Sequence, residues 1–155
     1  MPSDTLELLK KVDLFAGLKP EAITLISKVA TEETHALGTK IFQHGDAGDK
    51  LYLILEGQVR ISREVPGMGE EALAVLGPGQ VFGEMALLDE SPRSADARVH
   101  SRCRVLAIPK DGFDDLLFMQ KDLAYEVLWS MVRMLVGRLR ETNDKLTFLS
   151  VTGRF

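Results

Sequence analysis

The chain has 155 residues, 45% of them hydrophobic and 27% charged, with a formal net charge of −4 and a pI near 5.4. These values fit one globular domain with a sizeable core, and the acidity argues against a surface built mainly for nucleic acid, which is usually basic. One cysteine, Cys103, excludes an internal disulfide and a cysteine-held zinc or iron–sulfur cluster. The N-terminus lacks a basic stretch followed by an apolar run, and no apolar run reaches membrane-spanning length. A cytoplasmic protein with no membrane partner is expected.

Taken in order, residues 3–16 read as a short helix, capped by Ser3 or Asp4, with Leu6, Leu9 and Val12 on one stripe. Gly17 stops it, and Pro20 opens a second helix with Ile23, Ile26 and Val29 on one side. From Thr34 to Ile108 the periodicity becomes two. Short strands are expected at Lys40–Phe42, Leu51–Leu55, Val59–Ser62, Leu73–Leu76, Ala97–Val99 and Arg104–Ile108. Turns of glycine, proline and aspartate separate them, at 44–49, 56–58 and 77–80. Many short strands at close spacing suggest a barrel or sandwich. Pro109 ends the last one, and Asp111–Met119 reads as a short helix.

Lys121–Leu149 follows without a proline, and at 29 residues it would form a helix of about 43 Å. Tyr125, Leu128, Val132, Leu135, Leu139, Thr142, Leu146 and Leu149 are spaced as a heptad seam, with Thr142 its polar break. Val127, Met131, Met134 and Val136 give a second apolar face near the start. One face can cover the barrel while the seam meets a second copy, so a homodimer is expected; the alternative is a helix folded wholly on its own barrel. Arg138, Arg140, Glu141 and Asp144 read as a solvated flank. His35, His44 and His100 lie far apart among different neighbours and read as surface or turn residues. No metal and no cofactor are expected.

The stretch that carries chemistry is 82–95, Phe-Gly-Glu-Met-Ala-Leu-Leu-Asp-Glu-Ser-Pro-Arg-Ser-Ala. Gly83 lets the main chain approach a ligand. Glu84 offers a carboxylate to hydroxyl donors. Arg93 offers a guanidinium fork suited to phosphate, and Ser94 adds a hydroxyl while the Ser94 and Ala95 amides can face the same anion. The bland alternative is a short surface helix with an ion pair of little worth. The stretch resembles the phosphate-binding cassette of the cyclic nucleotide-binding domain family: Phe-Gly-Glu, a variable residue (here Met85), Ala86-Leu87, then Arg93, a small residue and Ala95. The resemblance implies that Glu84 takes the ribose 2′-hydroxyl and Arg93 the cyclic phosphate.

It extends over roughly residues 10–140, through Gly45-Asp46, Leu51–Ile54, Gly57, Val59 and Gly79. It implies an α+β fold, with the cassette inside an eight-stranded jelly-roll-like barrel flanked by N-terminal helices and a long C-terminal helix. The chain then divides into helices at 1–33, barrel at 34–108 and helices at 109–155, all one domain. Ile61, Leu73 and Ala74 fall where the family lines its ribose–base pocket; otherwise they are barrel core. Thr142 and Asn143 fall near the family's base-contacting positions on the long helix; otherwise Thr142 tunes the register of the seam.

The barrel, the long helix and the terminal Phe148–Arg154 resemble bacterial catabolite-activator-type regulators. In that group this terminal segment leads into a helix-turn-helix domain, and here the chain stops at Phe155. The expectation is therefore a regulatory module that binds cAMP without DNA binding of its own and acts on an effector protein. The alternatives are the sensor half of such a regulator and a cGMP-binding module, since Ser94 is compatible with either base. A domain that has lost nucleotide binding is disfavoured by the intact Glu84 and Arg93. An enzyme is the weakest reading, because the cassette holds no metal ligands and no activated nucleophile.

Overall fold

The computed structural model describes residues 3–84 and 91–152. Helices α1 (Ser3–Lys11) and α2 (Pro20–Val29) are joined through a 3₁₀ turn, Asp13–Phe15. Pro20 stands in the first turn of α2, where its missing N–H has no intrahelical partner to lose. The chain then enters one six-stranded antiparallel sheet of β1 (Thr31–His35), β2 (Lys40–Phe42), β3 (Lys50–Val65), β4 (Gly69–Leu76), β5 (Val81–Phe82) and β6 (Asp96–Pro109). Helices α3 (Lys110–Met119) and α4 (Lys121–Thr152) close the chain.

The spine of the sheet is the β3–β6 ladder, which runs from Lys50 opposite Pro109 to Ser62 opposite Asp96. β1 and β2 pair with β6; β4 and β5 pair with β3. Four of the expected strands are therefore two. Leu51–Leu55 and Val59–Ser62 are one strand with register shifts between Ile54 and Val59, and Ala97–Val99 and Arg104–Ile108 are its continuous partner. A bulge bends a ladder without ending it. Gly57 is required at this bend: its φ is +84°, and a Cβ there would run into the Arg102 carbonyl and Cys103. The sheet also begins earlier than Thr34, at Thr31. β1 is a polar edge strand, Thr-Glu-Glu-Thr-His, so it lacks the alternating apolar pattern of a half-buried strand.

All of Leu51–Leu55 is buried, because β3 is covered on both faces there. Alternate side chains serve two cores, as the period of two requires. Leu51, Leu53 and Leu55 join Leu106 and Ile108 under the helices, with Phe15, Ile26 and Phe113. Tyr52 and Ile54 join Val59, Phe82, Val99 and Val105 inside the curved sheet. Each fully buried Leu or Phe contributes on the order of 1.5–3 kcal/mol.

Leu123, Val127 and Met131 recur every four residues along α4 and bury its first turns in the helical core. Val136, expected on that face, is exposed. The seam residues Tyr125, Leu128, Val132, Leu139 and Leu146 are also exposed. Within this chain α4 is half packed and half uncovered.

Candidate functional site

Six segments converge on a cavity of about 330 Å³: Phe42 at the end of β2, Gly48 in the turn after it, Ile61 on β3, Leu76 with Val81 to Glu84 around β5, Ser91 to Ala95 ahead of β6, and Arg138 on α4. Its floor is aromatic. The Tyr52 and Phe82 rings stack 5.0 Å apart at 8°, and Phe42 leans on Phe82 at 5.9 Å. The Arg93 guanidinium carbon lies 4.1 Å over the Phe42 ring centroid, a cation–π contact away from bulk water.

Arg93 is 7% exposed. Its Nη1 donates to the Gly83 carbonyl at 3.0 Å and its Nη2 to the Lys50 carbonyl at 2.7 Å. Its Nε is buried and has no hydrogen-bond partner among the described residues. The backbone is clasped as well: the Arg93 N–H donates to the Asp46 carbonyl at 2.7 Å, and the Gly45 N–H donates to the Arg93 carbonyl at 2.9 Å. Gly83 makes the close approach. Its φ is +78°, and a Cβ there would stand 2.7 Å from Arg93 Nη1 and 3.1 Å from the Lys50 carbonyl oxygen. Burial lowers the Arg93 pKa, opposed by Tyr52, Asp49, Glu84 and Asp46. Among the described residues no ion pair includes Arg93. A buried guanidinium held by neutral carbonyls, with an Nε to spare, is a site for an anion.

Glu84 closes the other end. Its carboxylate is nearly buried and accepts from Arg138 Nη1, in an ion pair that ties the cassette to α4. One carboxylate oxygen carries that bond, and the other has no hydrogen-bond partner among the described residues. A carboxylate in this setting accepts well from hydroxyl donors.

The structure brings Gly83, Glu84, Arg93, Ser94, Ala95 and Ile61 to one cavity wall, with Ser94 exposed at the mouth and Ile61 half-buried. Met85 and Ala86 lie outside the described residues. Leu73 and Ala74 are exposed on β4 and do not line the cavity; Leu76 lines it instead. Leu73 differs from Leu76 by an odd number of residues and so belongs to the other face of β4. Ala74 shares the parity of Leu76 and lies opposite Ile61, which does line the cavity; its side chain is a single methyl.

Thr142 and Asn143 are exposed and also stand off the cavity. The Thr142 hydroxyl donates to the Arg138 carbonyl at 3.0 Å. They lie a turn beyond Arg138, about 6 Å farther along the axis. Arg138 is the cavity residue that the solvated-flank reading missed. Its position one turn before Thr142 on the same helix face was the available signal. Phe42, an aromatic just before the turn that clasps Arg93, was missed because its role depends on tertiary approach.

The histidines stand apart, each near a charged neighbour: His35 by Glu33 at 3.0 Å, His44 by Arg63 at 3.3 Å and His100 by Arg60 at 3.5 Å. Among the described residues no three His, Cys, Asp or Glu side chains group as metal ligands, and no helix is long and apolar enough to cross a membrane.

Comparison with known proteins agrees with this geometry. The CRP-like cAMP-activated global transcriptional regulator of Mycobacterium tuberculosis is 31% identical over 151 residues, which is 96% of this chain and 66% of that protein. The cyclic AMP receptor protein of Thermus thermophilus is 37% identical over 92% of this chain and 64% of its own length. The chain thus spans about two thirds of these two relatives. The N-terminal domain of a Streptomyces coelicolor transcriptional regulator superposes with a TM-score of 0.79 at 34% identity, covering 90% of this chain and 94% of that one. Residues 32–120, more than half of the chain and all of the cavity's sheet and cassette, match the cyclic nucleotide-binding domain family, and it is to this family that the chain belongs.

Proposed function

We propose that the chain is a sensor that binds cAMP, with cGMP the alternative ligand, and passes occupancy to α4. One observation carries the reading: the buried Arg93, without an ion pair or a partner for its Nε among the described residues, shares one cavity with the Glu84 carboxylate. Arg93, Ser94 and the Ala95 amide take the cyclic phosphate. Glu84 takes the ribose 2′-hydroxyl, with Gly83 giving the sugar room. Met85 and Ala86 complete the cassette, and Ile61 supplies apolar wall. The names of the two relatives, both cAMP proteins, favour adenine over guanine. The chemistry is binding, not turnover. Calorimetric titration with cAMP and with cGMP tests this: tighter binding of cAMP is expected, and no binding of either ligand overturns the proposal.

The exposed seam of α4 supports a homodimer formed helix to helix, with the unit coupled to an effector. In such a pair Thr142 and Asn143 can meet the base held by the partner copy, which would give them a role that they lack in a single chain. Sedimentation of the natural protein should show a dimer, and Leu139→Asp should convert it to monomer; a natural protein that sediments as a monomer removes this part. A second reading is carried by the relatives: the chain corresponds to the ligand-binding portion of a DNA-binding regulator. A mobility-shift assay on this chain at physiological salt should then show no sequence preference.

A further inference from the structure

A second cavity, of about 600 Å³, shares a wall with the first. It lies between the end of α1, the turn before β5 and the barrel-facing side of α4. Leu76, Val81 and Arg138 line both cavities. Its charge is lopsided. Lys11, Arg133 and Arg138 line it against one carboxylate, Glu141, in a protein whose net charge is −4. Arg133 and Glu141 stand two turns apart on one helix face, with Gly137 between them. Nothing lies within 4 Å of where a Gly137 Cβ would be, so there is open room against the helix backbone. Among the described residues Arg133 donates to the Ser130 hydroxyl, at 3.3 Å, and neither it nor Lys11 is in an ion pair. Two such cations, both reached by solvent, and a third shared with Glu84, around a cavity larger than the first, suit a doubly charged anion.

We infer that this cavity is a second ligand site, for a small molecule bearing phosphate, and that it opposes the first through Arg138. The arrangement gives the sign. Glu84 is nearly buried, and Arg138 is the cation that balances and orients it. An anion beside Lys11 and Arg133 draws Arg138 toward itself. The Glu84 carboxylate is then left less well paired, and the ribose-holding end of the first cavity loosens. By reciprocity a bound nucleotide weakens the anion by the same factor. The site stands on its own residues; only the coupling rests on the proposed nucleotide binding.

Inorganic pyrophosphate is a suitable probe. A fluorescent cAMP analogue is titrated at rising pyrophosphate, with ionic strength held constant by sodium chloride. The apparent dissociation constant should rise and then level off at about fivefold. In a Lys11→Ala, Arg133→Ala double variant, which leaves the cassette and Arg138 untouched, the rise should vanish. A rise that never levels and persists in the double variant is direct competition at Arg93, and it overturns the coupling, as does no rise at all. Calorimetry of pyrophosphate alone reads the site without the nucleotide. Binding to the natural protein and not to the double variant supports it; equal binding to both, or none to the natural protein, overturns it. If cAMP itself fails to bind, the sensor proposal falls, and the calorimetric arm still decides the anion site.

Discussion

The two ends of the cassette cavity are built in opposite ways. At one end Arg93 is fixed by everything around it: two carbonyls, an aromatic ring and a backbone clasp to the 45–46 turn. At the other end Glu84 has one charged partner, Arg138, which comes from a helix 54 residues downstream and is itself about half exposed. A group over-determined by its surroundings holds its geometry whether or not a ligand is present, which is what tight recognition of phosphate needs. A group held by a single contact to a separate element is suited to transmission, because whatever changes that contact changes the position of the element. On the proposed function, affinity belongs to the Arg93 end and readout to the Glu84 end.

The assignment can be broken most severely at Arg93. Arg93→Ala removes charge-assisted bonds worth about 1.5–3 kcal/mol each, and should weaken cAMP binding about 100-fold or more by calorimetry. Arg93→Lys should restore only part, since a point charge cannot serve two carbonyls and a phosphate together. A loss below tenfold in Arg93→Ala would mean that the fixed end does not set affinity.

The rigidity of that end has its own signature in alkali. Burial between the Phe82 ring and the strand raises the Tyr52 hydroxyl to about 12, with Glu33 and Asp49 adding to the effect and Arg93 opposing it. The folded pKa exceeds the ordinary value of 10, so the neutral phenol's contribution is complete below pH 10 and is lost as pH rises toward about 12. It is on the order of 2–3 kcal/mol. Thermal melts across that window should fall for the natural protein and fall less for Tyr52→Phe. Parallel curves would show that the aromatic floor is not what Tyr52 protects.

The opposite end predicts smaller and more selective effects. The natural protein should bind 2′-deoxy cAMP about tenfold more weakly than cAMP, the worth of one hydrogen bond to a charged acceptor. Glu84→Ala should bind the two alike. Discrimination that survives in Glu84→Ala would remove the ribose role. Smallest of all, Arg138→Ala should weaken cAMP binding about fivefold, because an ion pair with one exposed partner is partly screened. Amide exchange along 121–149, slowed by cAMP in the natural protein, should become insensitive to it in this variant. Retention of the slowing would place the readout elsewhere.

What could be read from residues alone follows the same division. Gly83, Glu84 and Arg93 were legible because they are contiguous or nearly so and carry their chemistry in their side chains. The buried start of α4 was legible in part, from Val127 and Met131; Leu123 was not singled out and Val136 is exposed. Arg138 was not, because a lone arginine among Arg140, Glu141 and Asp144 looks like any solvated flank until the fold brings Glu84 beneath it. That Leu73 and Ala74 stay off the cavity was not legible, because the reach of a β4 side chain depends on its place along the hairpin and on the register shift between Ile61 and Ser62, which leave no mark in composition. β1 escaped notice for a related reason: an edge strand paired on one side has little apolar surface to hide, and its sequence records that.

The double coverage of β3 has a consequence for how the protein comes apart. Leu51–Leu55 sends alternate side chains into the helical core and into the curved sheet, so neither core can open without stripping the same five peptide groups. Their amides should exchange with solvent only through global unfolding, and should be the slowest in the chain. The ligand cavity and the helical layer then share one melting event, and damage to either is felt as lost stability in both.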